Sequence, residues 1–119
     1  MKKQYYGGIT MLIDFNKIQE HTISEMNEGT GEVTAKMYMG QNGKIIPSKI
    51  RINGSIGMHP HETSDDINYI ISGTGKAICD GKEEALTAGT CHICKKGSSH
   101  SIINTGNEDL IMITFVVEN

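Results

Sequence analysis

The feature that most restricts this chain is a succession of short period-two stretches, each closed by a glycine-bearing turn. Val33, Ala35, Met37 and Met39 alternate with Thr34, Lys36 and Tyr38. Ile46, Ser48, Ile50 and Ile52 alternate with Pro47, Lys49, Arg51 and Asn53. Successive strand side chains point to opposite faces, so this alternation builds a sheet with one greasy and one polar face. Between the two stretches lies Asn42-Gly43, a hairpin turn, because both residues tolerate positive φ. Pro47 has no amide hydrogen and so predicts a sheet edge or solvent on that side.

Further strands are predicted over 67–72, closed by Gly73-Thr74-Gly75, and over 76–79, closed by a second hairpin signal at Asp80-Gly81. Stretches 82–87, 91–95 and 99–104 follow, and then the turn Thr105-Gly106-Asn107. Residues 110–117 are almost continuously apolar, as expected of a strand covered on both sides. Some eight or nine strands at roughly 6–12-residue spacing mark an all-β sandwich or small barrel. Fourteen glycines among 119 residues supply the turns. Upstream, Phe15, Ile18, Thr22, Ile23 and Met26 recur at helical spacing behind Asp14 as N-cap, which predicts a short helix ended by Gly29. No linker or repeat divides the chain. The expected organisation is an N-terminal arm over 1–30 and a β-barrel domain over 31–119.

The net charge of −3 and the scatter of Lys36, Lys44, Lys49 and Arg51 give no basic patch, which argues against nucleic acid as a partner. No apolar run approaches the ~20 residues that cross a bilayer, and no signal-peptide core follows Lys2-Lys3, so a cytoplasmic protein without a membrane partner is expected. Three cysteines, Cys79, Cys91 and Cys94, are an odd number and argue against a disulfide framework. Cys91-His92-Ile93-Cys94 has the spacing of a redox or zinc pair. It lacks the following helix of the first and the second ligand pair of the other, so it reads as a strand with small apolar cysteines packed inside.

One segment stands apart: His59-Pro60-His61-Glu62-Thr63-Ser64-Asp65-Asp66, with His100 further on. Two histidines two apart share one face of an extended strand. With a carboxylate beyond them and a distant third histidine, they make a candidate ligand set for manganese, iron, nickel, copper or zinc. His-x-His also arises by chance, and a single strand histidine is usually structural. His92 reads as a strand residue whose face is not fixed across the turn at 95–97, and His21 as a surface residue.

The stretch from Gly54 through His59, His61, Asp66 and Tyr69 to Gly73 and Gly75 resembles the first signature of the cupin superfamily. Asp80-Gly81, Ala88-Gly89 and Gly97-Ser98-Ser99-His100, continuing to Asn104, resemble the second. The resemblance implies a small single-domain cupin of RmlC-like type. It implies a double-stranded β-helix (jelly-roll) barrel, and a divalent metal held by His59, His61, Asp66 and His100. Aspartate replaces the family's glutamate; Asp66 is preferred to Asp65 because it keeps the family's distance to Tyr69 and Gly73. Gly54 lies one residue nearer His59 than in the usual form. Lys96 and Ala88 replace the usual prolines, which touches turn rigidity and not ligation.

Strand parity puts Asn68 and Ile70 on the face of Asp66, and Ile102 and Asn104 on that of His100. Asn68, Ile70 and Ile102 are the candidate substrate-lining residues. Tyr69 is expected to point away from Asp66 and pack between layers, and Met37 and Met39 to lie in the core. No general acid or base stands out, so catalytic residues are unassigned. The expected function is a metal-dependent enzyme acting on a small polar organic molecule, by dioxygenase, isomerase, decarboxylase or lyase chemistry. The alternatives are a non-catalytic small-ligand-binding cupin and a barrel with a vestigial site. Resemblance to small cupins also implies a homodimer.

Overall fold

The structure is a computed structural model and describes residues 10–118; residues 1–9 of the expected arm, and Asn119, lie outside the described residues. Among the described residues the strands are β1 (His21–Ser24), β2 (Glu32–Ala35), β3 (Tyr38–Met39), β4 (Gly43–Ile50), β5 (Ser55–Pro60), β6 (Ser64–Ser72), β7 (Thr74–Cys79), β8 (Lys82–Thr87), β9 (Cys91–Cys94), β10 (Ser99–Asn104) and β11 (Leu110–Glu118). A seven-stranded sheet runs β1-β2-β4-β11-β6-β9, with β3 also paired to β4, and a four-stranded sheet runs β5-β10-β7-β8. Every pairing is antiparallel. From β4 onward the chain crosses between sheets at nearly every connection, which is the winding of a jelly-roll barrel.

The core follows the alternation. Val33, Ile50, Ile56, Ile70, Ala77, Leu86, Ile102, Leu110 and Met112 are buried between the sheets, with Met26 packed against them. Asp80 and Gly81, at φ 50° and 84°, turn β7 into β8 with Cys79 opposite Lys82, as the hairpin signal requires. β3 and β4 do form a hairpin, with Met39 opposite Lys44, but not through the expected Asn42-Gly43 turn: neither residue has positive φ, Gly43 already opens β4, and the loop is closed by the Gly40 amide donating to the Gly43 carbonyl at 2.8 Å. Gly57 serves a different purpose. A Cβ there would meet the carbonyl oxygen of Asn27 and stand 2.8 Å from the nitrogen of Gly29, so the chain at 27–29 lies directly on the β5 backbone.

Four expectations are corrected. Residues 15–26 form no α-helix: Asp14 does cap, accepting from Asn16 N at 3.0 Å, but only the 3-10 turn Phe15–Lys17 follows, and His21–Ser24 pairs with β2. The β-branched Thr22 and Ile23 suit that edge, whose backbone bonds come from β2. Met37 and Met39 are exposed rather than core, because β2 ends at Ala35 and β3 is a separate strand. Tyr69 does point away from Asp66, but onto an open outer face where it is 45% exposed. β11 is covered on one face by the core, whereas Phe115 and Val117 are exposed. No helix among the described residues is long and apolar enough to cross a membrane.

Candidate metal centre

β5 and β10 are neighbours, and their register sets His59 opposite His100. His61 lies one residue beyond the end of β5 and, by alternation, on the same side as His59. The Nε2 atoms of His59 and His61 are 3.1 Å apart, as are those of His61 and His100. Asp66 reaches the cluster from β6 in the opposite sheet: its Oδ2 stands 3.3 Å from His100 Nε2 and 3.6 Å from His61 Nε2. Asp65, next to it, faces elsewhere and accepts from the Lys96 amide at 2.9 Å.

The electronic state of the cluster follows from its outer contacts. The Nδ1 of His59 lies 2.6 Å from the Gly57 carbonyl, which can only accept, so Nδ1 donates and a neutral His59 turns a bare Nε2 inward. With neutral rings, His61 and His100 bring at most one hydrogen each to the shared point. Four electron-rich atoms then meet with at most two hydrogens among them, an arrangement that a cation relieves. At ~2.1 Å metal–nitrogen bonds, ligands at right angles stand about 3.0 Å apart, close to the spacing here. His59, His61 and His100 could therefore hold a metal ion, and the Asp66 carboxylate adds a hard oxygen donor.

Burial lowers His59 below its ordinary 6.5, more strongly than the Gly57 carbonyl and Asp66 raise it, and the His100 ring lowers it further. Burial likewise lowers His61, against the raising effect of Asp66. Both rings are thus kept neutral, as metal ligation demands. Burial by itself would raise the Asp66 carboxyl, but contacts with His100 and Asn68, and the fields of His61 and His100, hold it below its ordinary value. Asn68 fixes this carboxylate: its Nδ2 donates to Asp66 Oδ2 at 3.0 Å, while its Oδ1 accepts from Thr114 Oγ1 at 2.7 Å.

The cluster forms one wall of a cavity of about 330 Å³. Asn68 and Ile102 line it; Ile70 does not, being wholly buried in the core beneath. Asn104 ties down a turn, its Nδ2 donating to the carbonyls of Ile50 and Glu108. Among the described residues, Lys44 is the one lysine or arginine on the cavity wall, and Glu118 the one carboxylate there besides Asp66.

Sequence reasoning missed His92 and Glu84. His92 is buried, its Nε2 2.9 Å from His100 Nδ1 and its Nδ1 2.7 Å from Glu84 Oε1. The available signal was the alternation in 91–94, but its phase is lost across the turn that separates β9 from β10. The same alternation puts Cys91 on the outside and Cys94 inside, so the two do not face each other. Cys91 thus corrects the expectation of inward-packed cysteines, and all three thiols are free. Cys94 is pushed up to about 12, chiefly by burial and then by its neighbour Cys79, so it is not a ready nucleophile.

Comparison with known proteins extends these observations. The family model described as "Cupin domain" matches residues 48–117. A curated relative, the oxalate-binding protein of Thermotoga maritima, is 33% identical over 116 residues, covering 92% of this chain and 96% of its own. The crystal structure of a predicted oxalate decarboxylase, also from Thermotoga maritima, superposes with a TM-score of 0.85 at 30% identity, covering 92% of this chain and all of that one. An RmlC-like cupin from Shewanella frigidimarina shares the fold at TM-score 0.76 and 13% identity, with 93% of each chain covered.

Proposed function

The chain belongs to the cupin domain family, and from that premise we propose that it is a metal-dependent cupin that binds a small carboxylate of the oxalate class at the barrel mouth. The carrying observation is the convergence of His59, His61, His100 and Asp66 on one point of the cavity wall. Three imidazoles and one carboxylate suit manganese, iron, nickel, copper or zinc. Such an ion would supply a Lewis-acid centre with positions left for a chelating ligand. The name of the oxalate-binding relative supplies the ligand class. Lys44 supports it, as a cation on the wall of a cavity that would take up a dianion. Asn68 and Ile102 are proposed to contact the ligand.

A second reading, turnover of the same ligand, draws on the name of the predicted oxalate decarboxylase. Decarboxylation breaks the carbon–carbon bond, releases carbon dioxide and places one proton on the remaining carbon to give formate. Outside the four donors, Lys44 and Glu118 are the titratable groups among the described residues of the wall that could deliver that proton, and Glu118 lies exposed at a strand end. That scarcity of acids among the described residues of the wall favours binding over turnover.

Calorimetric titration of oxalate into manganese-loaded protein tests the reading, with acetate and metal-free protein as controls. Metal-dependent binding of oxalate, and not of acetate, is expected. Equal binding with and without metal would refute it. Formate release over time would favour the second reading.

The homodimer remains part of this proposal. Ile93, Ile67 and Phe115 stand side by side across β9, β6 and β11, with Tyr69 and Ile113 one step along. Tyr69, Ile93 and Phe115 are each more than a third exposed, an apolar outer face suited to a second copy. Light scattering of Phe115→Lys beside the parent protein reads the outcome: a dimer reduced to a monomer supports it, and a parent that is already monomeric refutes it.

A further inference from the structure

His92 is a wholly buried imidazole outside the cavity wall, and both of its nitrogens are engaged. The rings of His92 and His100 have centroids 5.1 Å apart and planes 25° apart. With a nitrogen–nitrogen contact of 2.9 Å, they meet edge to edge along the hydrogen bond rather than face to face. Three strands consecutive in the chain contribute in turn: Glu84 from β8, His92 from β9 and His100 from β10.

The direction of this chain follows from what each atom can do. An ionised Glu84 only accepts, so His92 Nδ1 donates to it. A neutral His92 then has a bare Nε2, which accepts from His100 Nδ1. That leaves the His100 Nε2 lone pair facing His59, His61 and Asp66. Without the chain, the outcome would be contested. A neutral His100 carries one proton, and two acceptors compete for it: His92 Nε2 at 2.9 Å and Asp66 Oδ2, 3.3 Å from His100 Nε2. A proton drawn toward Asp66 would cap the very nitrogen that a metal needs.

We infer that Glu84 and His92 are positioning residues that fix the tautomer of His100 and so hold its Nε2 open toward the metal centre. The inference rests on the metal-binding reading above. Partners of this kind, which orient a ligating histidine from behind, commonly change metal affinity ~10–100-fold when removed.

Two measurements test it. Histidine proton–nitrogen correlation spectra of metal-free, nitrogen-15-labelled protein near neutral pH read each tautomer directly. Both His92 and His100 are expected as Nδ1–H forms, and an Nε2–H form of either would overturn the inference. This readout needs no bound metal, so it stays decisive even if the metal-binding reading fails. The second measurement is manganese affinity by calorimetry. His92→Phe fills the space without a hydrogen bond and is expected to weaken binding ~10–100-fold. His92→Gln can accept from His100 and donate to Glu84 at once, and is expected to restore most of that loss. Equal losses in both variants, with melting curves like the parent's, would mean that His92 only fills space and would overturn the assignment.

Discussion

His59 and His100 are register partners on adjacent antiparallel strands, with ring centroids 4.7 Å apart at an interplanar angle of 63°. Because β-register fixes their separation, this half of the centre is built by backbone pairing before any ion arrives. Metal affinity should therefore report directly on the side chains that complete it.

Removing His59 and His61 together should abolish binding. Elemental analysis of the parent protein is expected to give about one equivalent of a transition metal, and the His59→Ala/His61→Ala variant none. A free metal concentration of 100 times Kd should stabilise the parent by about 2.7 kcal/mol and the variant not at all. Chemical unfolding with and without EDTA measures both.

The carboxylate donor is predicted to be Asp66 and not Asp65. Asp66→Asn should weaken manganese binding at least ~10-fold, through loss of a charged donor. Asp65→Asn, whose side chain accepts from the Lys96 amide, should leave it unchanged. The reverse pattern in calorimetry would move the site.

Asn68 joins the metal centre to the opposite strand. Asn68→Leu removes the donor to Asp66 Oδ2 and orphans the Thr114 hydroxyl. Leaving such groups unpaired should cost about 1–3 kcal/mol of stability, visible as a lowered urea midpoint.

Without metal, stability should fall on mild acidification. Burial holds His59 and His61 below 6.5 in the folded protein, whereas the unfolded chain titrates near that value. As pH drops below 6.5 the unfolded state takes up protons that the folded state refuses, and folding weakens until the lowered folded values are passed. Asp66 is lowered too, so its contribution is present above 3.8 and is lost only as pH falls through its lower folded value. Urea midpoints in EDTA should therefore decrease from about pH 7.5 to about pH 5; a rise would contradict the burial argument.

Gly57 should tolerate no side chain. Gly57→Ala pushes a methyl into the Asn27 carbonyl and is expected to cost about 1–3 kcal/mol. It should also weaken metal binding, because the Gly57 carbonyl orients His59. Gly81→Ala has open space around it and only an unfavourable φ of 84°. It should cost about 1 kcal/mol and leave metal binding unchanged.

Much of this was legible because strand alternation is local. The spacing of the resemblance selected Asp66 over Asp65, and strand parity counted from Asp66 then placed Asn68 and Ile70 inside, where both are buried. The hairpin at Asp80-Gly81 was readable because its backbone demand is confined to two residues, whereas the connection near Asn42-Gly43 was located but its turn was not, since neither residue adopts positive φ there. What escaped depends on distant pairing. The edge pairing of β1 overrides an accidental helical spacing, and nothing between residues 15 and 26 announces it. The inward face of His92 is set by its position opposite Asn68, and its meeting with Glu84 and His100 by the approach of the edge strand β9 to the other sheet. Depth along a shared face was equally invisible: Ile70 and Asn68 have the same parity, yet only Asn68 reaches the cavity.

The candidate donors come from both walls of the barrel. His59 and His100 belong to strands of the four-stranded sheet, and Asp66 to a strand of the seven-stranded one. A cation held by all of them would rivet the two walls together at the open end, where, among the described residues, β6 is paired with neither β5 nor β10. Such a rivet turns ligand occupancy into a mechanical property. The loaded barrel would resist prising apart along that seam, and its amide hydrogens on β5, β6 and β10 would exchange together rather than wall by wall.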